Sequence, residues 1–250
     1  MTWVVRGLRR GILTTRYPDR PDPMPTAFRG IATALVASAM SQHNGSQACL
    51  SGAIAAGHQR ATIDELRCFQ CGNCERFAPD AFKMSSSFEL ARFADGDGAV
   101  RARLRERTAA FGRAVNIRHV DAGSDGSEEH ELQAIFNPFY DANRLGIFLT
   151  PTPRHADVLI VTGVVTRAMV APLQLAYEAM PEPKVVVALG TSACSGGIFA
   201  GSDRVAGPVD RVVPVDVLVP GTPPAPLTIL HALWLALGRS VEPRRPGDTR

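Results

Sequence analysis

The sequence predicts an α/β protein in two parts: a small cysteine-bearing α+β module over 31–93, then a doubly wound parallel sheet over 118–240. Three observations carry this. Cys68, Cys71 and Cys74 stand at two-residue spacing on one tight turn. From residue 117 onward, short apolar runs alternate with helical patterns. Between these regions, 94–117 turns charged and glycine-containing, with Asp95-Gly96-Asp97-Gly98 as a turn and an expected helix over 101–111, so it reads as a linker. With 250 residues and 45% hydrophobic content, the chain is long enough to bury two cores.

Residues 1–30 come first. Trp3, Val4, Val5, Leu8, Ile12 and Leu13 alternate with Arg6, Arg9, Arg10 and Arg16, which on a helix sets an apolar face beside a basic one. Such a helix lies in a membrane interface or along a partner. Gly7 and Gly11 each weaken an isolated helix by about 1 kcal/mol, so a docking surface is expected to hold it. The proline-rich run from Tyr17 to Pro23 reads as an extended tether.

Within 31–93, residues 63–67 lead into the cysteine turn and 81–84 lead out of it as a short strand. Soft thiolates select iron-sulfur, zinc or copper over magnesium or calcium. In the bacterial ferredoxin run a fourth Cys and a Pro follow the third thiol, and that fourth Cys serves the other cluster of a two-cluster protein. Here those two places are Ala78 and Pro79. Cys49 lies upstream, where the last thiol of a first ferredoxin motif would fall, and the remaining places of that motif are Ala39, Gln42 and Gly45. By crossed ligation one cluster would use Cys49, Cys68, Cys71 and Cys74, and the other Ala39, Gln42, Gly45 and Ala78. The first set is complete and the second is wholly absent, so the expectation is a ferredoxin-like module that keeps one 4Fe-4S cluster. A zinc site or an empty motif are the alternatives, though zinc sites usually pair two C-x2-C arms. Phe69 and Phe77 are expected to shield the cluster.

In the second part, strands are expected over 117–120, 147–149, 158–161, 184–189 and 211–215, with helices over 128–136 and 168–178. Short apolar strands between helices argue for a parallel sheet, whose sites lie beyond the carboxyl ends of the strands. Those ends carry 121–128, Thr162-Gly163, 190–197 and 220–224. The last ten residues, 241–250, read as a flexible tail, disordered or draped over a partner.

At these residues a resemblance becomes specific. Arg154 to Met169, Ser195-Gly196-Gly197-Ile198-Phe199, Val213-Pro214-Val215-Asp216-Val217 and Pro220-Gly221-Thr222-Pro223-Pro224 resemble the small electron-transfer subunit shared by respiratory complex I and the membrane-bound nickel-iron hydrogenases, formate hydrogenlyase included. The front of the chain is similar to the ferredoxin-like iron-sulfur subunit of the same complexes, through Phe28-Arg29-Gly30, the Cys68 turn and Glu89-Leu90-Ala91. The resemblance thus implies a fusion of two neighbouring subunits, with a flavodoxin-like second domain. It also implies a 4Fe-4S cluster on four cysteines of the small subunit, but those places are Asp125, Glu128, Ser192 and Thr222, which are not expected to bind one.

The resemblance further implies a hydrogenase- or complex I-type large subunit and membrane subunits as partners, a ferredoxin-type electron donor, and a peripheral position on the cytoplasmic face of the cell membrane. With the last cluster gone, the chain is expected to serve as an accessory or electron-relay subunit, or as a structural adaptor. A net charge of +3 is too small to suggest nucleic acid, and no uncharged apolar run reaches the ~18 residues of a membrane span. Four of the five cysteines are explained as ligands and Cys194 as a small buried residue, which fits a reducing compartment. Ser192, His231 and Asp216 are the types of a hydrolytic triad, yet no G-x-S-x-G surrounds the serine. The run 191–197 lacks a P-loop lysine, and Arg154-His155 reads as framework.

Overall fold

The computed structural model describes residues 3–20, 22–95 and 114–238, together with 102, 104, 106, 108 and 109. Most of the expected linker, including the 96–98 part of its turn, lies outside these residues, as does the 241–250 tail. Within the expected linker helix, 102, 104, 106 and 108 are helical, and Thr108 Oγ1 donates to the carbonyls of Leu104 and Leu237.

The chain opens with α1 (Trp3–Arg10), followed by β1 (Ala32–Ala34), α2 (Ala39–Gln47), β2 (Ile54–Ala55), β3 (Thr62–Ile63), α3 (Asn73–Phe77), β4 (Phe82–Met84) and β5 (Arg92–Phe93). β1 pairs with β4 and β2 with β3, both antiparallel, so the cysteine module is α+β. Then come β6 (Val115–Asp121), α4 (Ser127–Ala134), β7 (Ile147–Leu149), β8 (Val158–Thr162), β9 (Val165–Thr166), α5 (Val170–Ala179), β10 (Val185–Leu189), α6 (Thr191–Ser195), β11 (Val205–Gly207), β12 (Val217–Val219) and α7 (Pro226–Ala236).

Six strands form one sheet in the order β5-β12-β10-β8-β6-β7, all parallel except β5, which runs antiparallel along β12. Taking the parallel strands in chain order gives the flavodoxin-like arrangement, in which the order reverses between β6 and β8. Every residue of β8 and β10 is buried, and the period of two splits them between cores. Ile160, Val187 and Leu189 face Leu132, Leu230 and Leu233 of α4 and α7. Leu159, Val161 and Val186 face Leu173 of α5 and Ala193 and Cys194 of α6.

Three expectations change. The last parallel strand is 217–219 rather than 211–215, because Pro214 has no N–H to give a central ladder and Val213 turns into the core from a loop. The residues expected as a tether at 17–23 are docked at their start: Tyr17 is buried edge-on against Phe88 at 5.3 Å, and Arg144 Nη2 donates to the carbonyls of Thr15 and Tyr17 at 2.7 and 2.8 Å. Finally, β5 carries the end of the cysteine segment into the large sheet, and Phe88, Ala91 and Phe93 join its core. No helix among the described residues is long and apolar enough to cross a membrane.

Candidate metal centre

Cys49 follows α2, whose N-cap Ser38 accepts from the Ser41 N–H, and its own N–H donates to Ser46 O at 3.1 Å. Cys68 ends a 3-10 turn (Glu65–Arg67) begun by Asp64, whose carboxylate accepts from the Leu66 N–H at 3.0 Å. Gln70 and Gly72 take left-handed φ values of 59° and 76°, which folds the chain tightly around Cys71 and starts α3 with Cys74 in its first turn. A side chain at 72 would meet Arg29, whose Nη1 donates to the Cys71 carbonyl at 2.7 Å.

The outcome is that Cys49, Cys68, Cys71 and Cys74 line one cavity, walled on the apolar side by Ala32, Ile54, Ile63 and Met84. Cys68 and Cys74 are buried, Cys49 is half-buried and Cys71 is exposed at the rim. Burial raises the Cys68 thiol and pushes Cys74 up to about 11; the neighbouring cysteines add to both, because thiolates packed together repel. A cationic centre among them would reverse that repulsion. Among the described residues, no three Cys, His, Asp or Glu side chains converge on a single-ion site. Four soft donors around a cavity, with an apolar wall, fit the donor set of a 4Fe-4S cube. Phe69 lines this cavity; Phe77, expected to shield it, is 61% exposed and does not.

The other half of the motif is filled with protein. Buried Gln42 donates to Ala37 O at 2.9 Å and accepts from the Gly57 N–H at 3.0 Å. The Phe82 ring occupies the space at Gly45, where an added Cβ would sit 2.1 Å from it, and Phe82 N–H donates to the carbonyl of buried Ala78 at 3.0 Å. Ala39 opens α2 on the surface.

The cysteine turn rests on the carboxyl ends of the large sheet. Thr191, which starts α6, donates through Oγ1 to Cys68 O, and Gln70 Nε2 reaches Pro220 O at 3.5 Å. Ser192 and Thr222 adjoin the two ends of this contact in sequence, Glu128 lies against neighbouring Gly190, and Asp125 is exposed. Asp125 accepts from Ser127 N–H at 3.0 Å and Ser127 Oγ at 2.6 Å, and these bonds lower its pKa. Glu128, in the first turn of α4, is 2% exposed and lies over Gly190, where a Cβ would come within 2.5 Å of its Oε1. Burial raises its pKa. Ser192 packs against Gly197, and Thr222 Oγ1 is buried without a hydrogen-bond partner. Ser127 bridges Asp125 and Glu128; among the described residues no hydrogen bond joins either of them to Ser192 or Thr222.

One polar cluster was not anticipated from the sequence. At the β6/β8 crossover His119 Nε2 lies 2.9 Å from Thr162 Oγ1 and 3.4 Å from Glu129 Oε1, Thr162 Oγ1 donates to Glu129, and Ser124 Oγ donates to Glu129 Oε2 at 2.6 Å. Burial lowers His119, and the Glu129 charge opposes it. The available signal was polar residues ending two apolar strands where the sheet order reverses. Cys194 is buried, with its thiol pushed up to about 12 by burial and donating to Ala188 O at 3.4 Å, as a packing residue would be.

A parallel sheet in flavodoxin-like order, with a polar site over the carboxyl ends of its strands, defines the class of domain. The family described as NADH ubiquinone oxidoreductase, 20 Kd subunit, matches residues 126–236. The chain is 44% identical over 141 residues to a probable membrane-bound hydrogenase subunit, mbhJ, of Pyrococcus furiosus, covering 55% of this chain and 84% of that one. It is 42% identical over 139 residues to formate hydrogenlyase subunit 7 of Escherichia coli, spanning 54% of each chain. It is also 46% identical over 103 residues to a subunit of the NADH-quinone oxidoreductase of Geobacter metallireducens, covering 41% of this chain and 60% of that one. A solved archaeal membrane-bound sulfane sulfur reductase superposes over 52% of this chain and 72% of its own with a TM-score of 0.46 at 29% identity. The chain belongs to the 20 Kd subunit family.

Proposed function

We propose that the chain is a peripheral iron-sulfur subunit of a hydrogenase-like or complex I-like membrane assembly, a fusion of a ferredoxin-like module with a small-subunit domain. Cys49, Cys68, Cys71 and Cys74 would hold one 4Fe-4S cluster, which when bound accepts and releases single electrons. The observation that carries this reading is that all four cysteines line one cavity beside the carboxyl ends of the sheet. Apolar side chains behind the cavity exclude water, and Arg29 fixes the carbonyl of the exposed ligand.

The second domain would dock a large subunit, with membrane subunits nearby on the cytoplasmic face of the membrane. No cluster is assigned to Asp125, Glu128, Ser192 and Thr222: a buried neutral-prone carboxyl, two hydroxyls and an exposed carboxylate are poor ligands for an iron-sulfur cube. The surviving cluster then either braces the module as metal sites do or relays electrons by another route, for instance from a ferredoxin-type donor. Exposure of Cys71 at the rim favours the relay, because a cluster held there would have a surface-facing ligand through which a donor could approach.

The test is anaerobic purification with iron and acid-labile sulfide counted per chain and an electron paramagnetic resonance spectrum after dithionite. About four irons with one reducible signal support the reading, about eight would mean a second cluster binds, and none would leave a scaffold. Cys71→Ser then separates the roles. Lost assembly marks a brace, whereas an intact complex without electron flux marks a relay.

A further inference from the structure

We propose that α1 and the arginine-lined cleft beside it form a docking site for an anionic phospholipid bilayer, with a headgroup phosphate seated in the cleft. This deepens the peripheral-membrane part of the reading above by naming the surface and the lipid chemistry.

The helix has no buried residue, and its apolar side chains face solvent: Trp3 is 85% exposed and Leu8 80%. At 100° per residue, Trp3, Val4, Val5 and Leu8 fall on one half of the helix, and Arg6, Arg9 and Arg10 on the other. The arcs meet where Trp3 adjoins Arg10 and Val5 adjoins Arg9, so long arginine stems can reach headgroups while the apolar half enters the acyl boundary. Gly11, at φ 67°, ends the helix, and Ile12 and Leu13 prolong the exposed apolar surface.

Ile12 also lines the neighbouring cleft, a space of about 370 Å³ bounded by Thr14, Arg16, Asp19, Arg20 and Arg144. Three guanidinium groups against one carboxylate leave the cleft cationic, which suits a phosphodiester rather than a cation or a neutral ligand. It is also braced: Thr15 N–H donates to Phe139 O at 2.7 Å, Thr14 Oγ1 to Pro138 O at 3.1 Å, and Arg144 holds the carbonyls of Thr15 and Tyr17. Residues 3–20 carry five arginines and one aspartate, so the apolar surface comes embedded in positive charge. A purely apolar protein groove would not call for that charge; an anionic leaflet would.

The full chain, loaded with iron, is floated with vesicles of phosphatidylcholine alone and of phosphatidylcholine with about 30% phosphatidylglycerol at about 0.1 M salt. It is expected to bind the anionic vesicles and largely ignore the neutral ones, with a blue shift in tryptophan emission that Trp3→Phe abolishes. Leu8→Asp, at an exposed position, is expected to lower the affinity tenfold or more, and R16Q with R20Q by roughly tenfold or more. These variants leave the buried core untouched, so their circular dichroism and iron content should match the parent. A folded chain that ignores both vesicle types, including one that instead holds a neighbouring subunit through α1, would overturn the proposal. So would binding indifferent to both variants, or equal binding to neutral vesicles. Iron content reports separately on the cluster, so either reading can fail without the other.

Discussion

Thr191 Oγ1 donates to the Cys68 carbonyl at 3.1 Å while accepting the Gly221 N–H at 3.0 Å, so one buried hydroxyl joins the cysteine turn to the ends of β10 and β12. Thr191→Val keeps the shape and removes both bonds, leaving a carbonyl and an N–H buried without partners. The expected loss is about 1–3 kcal/mol, read as a lower urea midpoint at unchanged slope, with Thr191→Ser close to the parent. An unchanged midpoint for the valine variant would mean that the turn does not depend on this contact.

The filled half of the ferredoxin motif makes a second prediction. Returning cysteines to positions 39, 42, 45 and 78 should leave the iron count near four, because the fully buried Phe82 ring stands where the Gly45 side chain would project. Gly45→Cys alone should destabilise the module, since something must move to admit its Cβ. Phe82→Ala makes room at a cost of about 3–5 kcal/mol. Eight irons in the four-cysteine variant with Phe82 intact would show that this half can still open.

These two contacts mark what was legible in the sequence. The uninterrupted Val-Ile-Leu runs of β8 and β10 are local signals, and the structure follows them; the cysteine spacing is equally local, and its four thiols line one cavity. Helix α7 escaped notice because it is buried on almost every side and so has no apolar stripe to read; Pro226 at its first turn was the available cue. Two-residue β5 carries no period at all, and its pairing with β12 depends on packing. The Thr191–Cys68 bond spans 123 residues of chain, and a bond of that kind has no sequence signature.

Glu128 gives a prediction with a definite sign. Burial over Gly190 raises its pKa, so the unfolded chain gives up the proton at a lower pH than the folded one does. Its contribution is favourable at low pH and is lost as pH rises through the folded pKa. Glu128→Gln keeps the size without the charge and should raise the melting temperature at pH 8 more than at pH 4. An equal shift at both values would remove the charge argument.

His231 acts in the opposite direction. It sits on α7 with Nδ1 buried and unpartnered, and burial lowers its pKa from 6.5 to about 4. Between those values the unfolded chain binds a proton that the folded chain refuses, so stability is full above pH 6.5, declines as pH falls, and stops declining on this account below about 4. The shift corresponds to about 3 kcal/mol. Urea unfolding across that window should show the decline in the parent and a shallower one in His231→Leu, while Glu128→Gln, which carries the other sign, should steepen it. A leucine variant with the parent's full acid sensitivity would assign the decline to groups outside α7.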